Sequence, residues 1–173
     1  MMTTDQKGNI AETAIALQAM KLGLGVYRPV TEGERYDLIL DTGSRLLRTQ
    51  CKWASRQGDV IVIRCCSARR GPGGKLLSRR YTTAEADAFA AYSLDLDRCF
   101  LLPPDLWVDR REVRLRISPT RNNQAHGVHW AKDYEFAATM AASRGRSSAG
   151  RASGWQPEGH GFEPRRLHST LSG

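Results

Sequence analysis

Between Arg35 and Cys65 the chain carries three apolar segments separated by turn residues, and this stretch limits the possible folds more than any other. Tyr36 to Leu40 and Arg45 to Trp53 flank Asp41-Thr42-Gly43, which predicts two strands joined in a hairpin. Asp59 to Cys65 follows as a third strand, rich in the β-branched residues that pack well on a pleated surface. Upstream, Ile10 to Leu22 reads as a helix: Ile10, Ala14, Leu17 and Leu24 recur near helical spacing, and Gly23 and Gly25 supply a stop. Gly25 to Val30 is expected to be a short strand ended by proline. Downstream, Thr83 to Ala91 is expected to be a second helix with Thr83 as its cap. Cys99 to Pro103, Leu106 to Val108 and Val113 to Ile117 continue the strand pattern, and Trp130 to Ala138 forms a short final helix. Helices alternating with runs of strands define an α/β fold with a central mixed sheet flanked by helices.

The charge points to a class of partner. Lys and Arg outnumber Asp and Glu by 26 to 18, a net charge of +8. Such a surplus favours a polyanion, because phosphate contacts release condensed counterions. No apolar run approaches membrane-spanning length, and Met1 to Lys7 lacks the apolar region of a signal peptide, so a cytoplasmic protein is expected, in a prokaryote or an organelle-like compartment. Cys51, Cys65, Cys66 and Cys99 form no CxxC pair, and Cys51 and Cys65 fall in apolar strands as expected buried thiols. The length fits one domain, assigned to residues 1–140, followed by a Gly/Ser/Arg-rich tail over 141–173 that is poor in large apolar residues and expected to be disordered.

Residues 67–80 carry five positive charges, Arg69, Arg70, Lys75, Arg79 and Arg80, and no negative one. Glycine and proline within it predict a mobile loop, suited to following a phosphate backbone.

Asp37, Gln50 and Lys52 carry the chemistry. Asp37 stands beside an apolar strand, and Gln50 and Lys52 lie two apart on the next, so they share a face while Cys51 and Trp53 point into the core. Phosphodiester hydrolysis needs an activated water, charge neutralisation at phosphorus and help for the leaving oxygen, all of which a divalent cation supplies. Magnesium accepts few protein ligands, so Asp37 and the carbonyl oxygen of Gln50 are expected to hold it. Lys52 is expected to hold the attacking water or stabilise the charge at phosphorus.

Four blocks carry a resemblance: Lys7-Gly8-Asn9-Ile10-Ala11-Glu12, Arg35-Tyr36-Asp37-Leu38, Gln50-Cys51-Lys52, and Tyr81-Thr82 through Glu85-Ala86-Asp87-Ala88-Phe89-Ala90. In this order they resemble the PD-(D/E)XK nuclease superfamily, in particular its group I intron-encoded homing endonuclease branch, related to archaeal Holliday junction resolvases. Asn122-Asn123-Gln124 and Trp130 to Tyr134 are similar to the same branch. The resemblance implies a restriction-endonuclease-like fold, a Mg²⁺ cofactor (with Mn²⁺ an alternative), and cleavage of double-stranded DNA. It adds Glu12 to Asp37, Gln50 and Lys52 as a site residue and metal ligand. Tyr36 stands in place of the superfamily's proline, and Gln50 in place of its acidic residue. A long recognition site read by a small domain implies a homodimer or homotetramer. Two other readings stay open: a nuclease selective for branched DNA, and a silent DNA-binding module of the same fold.

The tail carries a message about the gene. Gly161-Phe162-Glu163-Pro164 is encoded by GGN-TTY-GAR-CCN, which includes the tRNA T-arm string GGTTCGAACC. Ala149-Gly150-Arg151-Ala152 can be encoded by GCN-GGN-AGR-GCN, which includes the D-arm string GGTAGAGC. Residues 150 and 162 are 12 codons (36 nucleotides) apart, as those arms are in a tRNA gene. The reading frame is therefore expected to run into a tRNA locus.

Overall fold

The computed structural model describes residues 1–31, 33–119 and 127–140. The hairpin expected from the sequence lies at the heart of its sheet. Chain order is α1 (Thr4–Lys21), β1 (Gly25–Tyr27), β2 (Leu38–Asp41), β3 (Leu46–Gln57), β4 (Val60–Arg64), β5 (Cys66–Arg70), β6 (Leu76–Arg80), β7 (Ala88–Ser93), β8 (Arg98–Leu102), α2 (Pro104–Trp107) and β9 (Glu112–Arg116). A seven-stranded mixed sheet runs β1-β2-β3-β4-β9, with β7 parallel to β3 and β8 antiparallel to β7. The long β3 is its axis. Its first four residues pair with β2 and its last four with β4, while Thr49 to Trp53 pair with β7.

Period-two alternation gives the sheet two cores. On one face α1 covers Leu38, Leu40, Leu47, Cys51, Ala88, Ala90 and Leu101. On the other, Ala54, Ile61, Ile63, Phe89, Ala91, Phe100 and Leu102 pack with Trp107 of α2 and Leu115 of β9. Cys51 and Cys65 are buried free thiols, as expected, and burial pushes the Cys65 thiol up to about 12. Among the described residues, no helix is long and apolar enough to cross a membrane.

α1 begins earlier than its apolar pattern suggests. The Thr3 hydroxyl accepts from the Gln6 N–H at 3.2 Å, and Gln6 Oε1 accepts from the Thr3 N–H at 2.9 Å. This capping box satisfies donors that the first turn leaves open. The helix buries Ile15 together with Ala11, Ala16 and Ala19, whose small side chains let it lie close on β3 and β7, and leaves Ile10 and Leu17 exposed.

Four sequence expectations are corrected. Thr83 to Ala91 is no helix. One turn forms where the Glu85 and Ala86 N–H groups donate to the Thr82 carbonyl, after which the chain extends into β7. Its alanines are small because β7 is buried along its whole length between two cores, and such packing overrides helix propensity. Residues 67–80 are no irregular loop: β5 and β6 form an antiparallel hairpin, with Cys66 opposite Arg80 and Arg70 opposite Leu76. The Gly71 N–H donates to the Lys75 carbonyl at 2.8 Å across the turn, where Gly73 and Gly74 have φ of 70° and 75°. Glycine adopts that left-handed conformation without a Cβ penalty. Leu106 lies in a helix because Pro104 fixes the helical φ at its first turn. At the other end, Trp130 to Ala138 is divided: a 3₁₀ turn spans Ala131–Tyr134, Glu135 bridges to Phe100, and helix resumes at Phe136. Asn122 to Gln124 and the tail from 141 lie outside the described residues.

Candidate active site

Asp37 sits just ahead of β2, where its N–H donates to the Thr49 carbonyl at 3.0 Å and extends the β2–β3 ladder. That register aims its carboxylate at the middle of β3. Oδ2 accepts the Cys51 N–H at 2.7 Å and the Gln50 Nε2 at 2.5 Å. Gln50 is only 7% exposed, and its Nε2 also donates to the Cys51 carbonyl at 3.3 Å. Burial raises the Asp37 pKa, and the Cys51 N–H, Lys52 and Gln50 offset only part of that rise.

Glu12 reaches the same cleft from α1. Glu12, Asp37, Arg28, Glu34 and Tyr36 line a cavity of about 260 Å³. The Glu12 pKa is raised first by burial and then by the charge of Asp37, while Arg28, 3.4 Å away, opposes both. Two half-buried carboxylates that repel one another fit a divalent cation, whose charge relieves both penalties. Gln50 commits its nitrogen to Asp37 and Cys51, which leaves Oε1 as the end able to meet a cation. Among the described residues, no group of three or more His, Cys, Asp or Glu lies together.

Lys52 extends from the face of β3 opposite Cys51. Its Nζ lies 3.4 Å from the Tyr81 hydroxyl and 5.1 Å from the ring centroid. The Arg35 guanidinium stacks over that ring at 3.7 Å. The structure therefore brings Glu12, Asp37, Gln50 and Lys52 to one end of the β2–β3 pair. It adds Tyr81, Arg35 and Arg28, which sequence reasoning missed. Arg35 and Tyr81 stood inside the resembling blocks, but neither spacing nor residue type marks an arginine–tyrosine stack across 46 positions.

The basic residues of 67–80 ride on the β5–β6 hairpin. Arg69, Arg70, Arg79 and Arg80 are on its strands and Lys75 is in its turn. Arg79 pairs with Glu85. Burial works to raise the Glu85 pKa, but the Thr82 N–H, Arg35 and Arg79 outweigh it and hold that carboxyl below its usual range.

A mixed sheet split along β3, with an acidic residue just ahead of β2 and a lysine on β3, has the restriction-endonuclease-like fold. Residues 2–137 match the family model of the PD-(D/E)XK endonucleases, and the chain belongs to that family. The structure is similar to that of a bacterial homing endonuclease, I-Ssp6803I, with a TM-score of 0.68 and 24% sequence identity over 86% of this chain and 99% of that one. No curated protein matches the chain.

Proposed function

We propose that the protein is a Mg²⁺-dependent endonuclease that hydrolyses phosphodiester bonds in double-stranded DNA and is of the intron-homing type. The observation that carries this reading is the convergence of Glu12 and Asp37 on one cleft, with Lys52 on the adjoining strand. Glu12, Asp37 and the Oε1 of Gln50 would hold the metal, with Mn²⁺ able to replace Mg²⁺. When bound, the ion supplies Lewis-acid charge at phosphorus and an acidified water. Lys52 neutralises charge at the scissile phosphate or orients the attacking water. Arg69, Arg70, Lys75, Arg79 and Arg80 hold the DNA backbone from the hairpin. A two-stranded ribbon of this kind fits the major groove of B-form DNA.

Cutting both strands calls for a second site, so a homodimer or homotetramer is part of the proposal. The exposed α1 residues Ile10, Thr13 and Leu17 support such contact. Sedimentation over a concentration series checks it, and a monomer at all concentrations refutes it.

The deciding experiment incubates the protein with a plasmid carrying the intronless tRNA locus, with Mg²⁺ or with EDTA. Defined linear fragments that form only with Mg²⁺ are the expected result. Cutting of four-way junctions alone assigns the protein to branched DNA. Binding without cutting, unchanged in Asp37→Ala, makes it a silent DNA-binding module.

A further inference from the structure

Lysine side chains are long and rotatable, so a lysine that must meet one phosphate needs something to hold it. Tyr81 is placed to do so. It is 5% exposed, and its ring is fixed edge-on against Phe89, with centroids 5.1 Å apart and planes at 88°. Its hydroxyl oxygen lies 3.4 Å from Lys52 Nζ, which can donate to it.

What fixes Tyr81 reaches beyond the site. Arg35 covers the ring at 3.7 Å and extends its fork in three directions. One terminal nitrogen donates to Ser67 Oγ at 3.0 Å and the other to the Arg80 carbonyl at 3.3 Å, while Nε lies 3.3 Å from Glu85 Oε1. Ser67 and Arg80 stand at the root of the hairpin, where β5 and β6 leave the body of the protein. A planar guanidinium can stack and bond on several sides at once, and an ammonium cannot.

We propose that Tyr81 is a positioning residue for Lys52, and that Arg35 couples it to the root of the β5–β6 hairpin, so that the seating of the hairpin on DNA sets the placement of the lysine. The proposal rests on the nuclease reading. It makes the cutting rate, rather than affinity alone, depend on how the hairpin lies in the groove. Non-specific DNA that binds the arginines without seating the hairpin is then held but cut slowly.

Two variants test this. Tyr81→Phe keeps the ring, its stack with Arg35 and its packing on Phe89, and removes only the hydroxyl. Arg35→Lys keeps the charge and loses the fork. Each is expected to slow single-turnover cutting at saturating DNA about tenfold, with affinity in EDTA and melting temperature close to those of the parent. Because both act through Lys52, the double variant is expected to be no slower than the slower single one. Wild-type cutting by Tyr81→Phe overturns the positioning role, and multiplied losses in the double variant overturn the coupling.

A second readout needs no cutting. The ε-methylene NMR signal of Lys52, assigned by its loss in Lys52→Arg, is expected to shift when duplex DNA is added, and to reach a different bound position in Arg35→Lys, which holds the same DNA without seating the lysine; the same bound position in both proteins overturns the coupling. A Lys52 signal that ignores DNA in the parent protein overturns the coupling even if no DNA is cut. Absence of cutting by the parent with that signal still responsive instead counts against the nuclease reading alone.

Discussion

Gln50 donates its amide nitrogen to Asp37 Oδ2, and the 2.5 Å contact makes glutamine the working partner of the site's central carboxylate. An acidic residue here would carry no donor and would set two carboxylates against each other. Gln50→Glu is therefore expected to destabilise the metal-free protein at pH 8 by about 1–3 kcal/mol, the usual cost of a buried polar group that loses its partner. The two carboxylates can share one proton in acid, so the loss is expected to shrink toward pH 5. Urea denaturation at both pH values checks this, and equal losses at the two values would refute it.

Both hydrogen bonds to Asp37 fall on one oxygen. Asparagine with its carbonyl oxygen in that place keeps both bonds and removes the charge. The Asp37 pKa is raised by burial, so the folded protein holds its proton more tightly than the unfolded chain. Stability therefore falls as pH rises from the ordinary carboxylate range through the raised value. Asp37→Asn is expected to melt higher than the parent at pH 7 without metal, to lose any Mg²⁺-induced rise in melting temperature, and to stop cutting. A variant that melts higher with Mg²⁺ and still cuts would remove Asp37 from the site.

The strands around the site were legible in the sequence because β2, β3 and β4 are local and their turns are marked by residue type. Asp37, Gln50 and Lys52 came with them, since period two fixes which side chains share a face. β7 was not legible. Ala88, Ala90 and Ala91 look helical in isolation, and only their parallel pairing with β3 makes them strand. The hairpin of 66–80 was hidden for a related reason: glycine and proline mark a turn without revealing that the flanking residues pair across it. Arg35 and Tyr81 were invisible because they meet only after β2, β3 and the hairpin are in place.

The anchor that sets β7 in register is Asp87. Its carboxylate accepts from the Arg48 N–H at 2.8 Å and from the Arg48 guanidinium at 3.0 and 2.9 Å, and these bonds lower its pKa. A depressed carboxyl stabilises the fold at neutral pH, and that contribution is lost as pH falls through the depressed value. The Arg48 and Asp87 side chains are 37% and 33% exposed, so solvent screening limits the effect. Asp87→Ala is expected to cost about 1–2 kcal/mol at pH 7, most of it from the stranded Arg48 N–H, and less at pH 3. Denaturant titrations across that range measure it, and a loss that grows in acid would contradict the assignment.

The hairpin makes a prediction about salt rather than stability. Each phosphate neutralised by a lysine or arginine contributes about 0.9 to the slope of log affinity against log salt. Arg69, Arg70 and Lys75 lie toward the hairpin's far end, whereas Arg79 is paired with Glu85 near its root. Replacing those three residues with alanine is expected to lower the salt slope by about 2–3 and to weaken binding to all duplex sequences alike. The proposed coupling further requires this triple variant to cut slowly even at saturating DNA, because a hairpin that no longer seats cannot set Lys52 through Arg35 and Tyr81. An unchanged salt slope would place the DNA on another face of the protein.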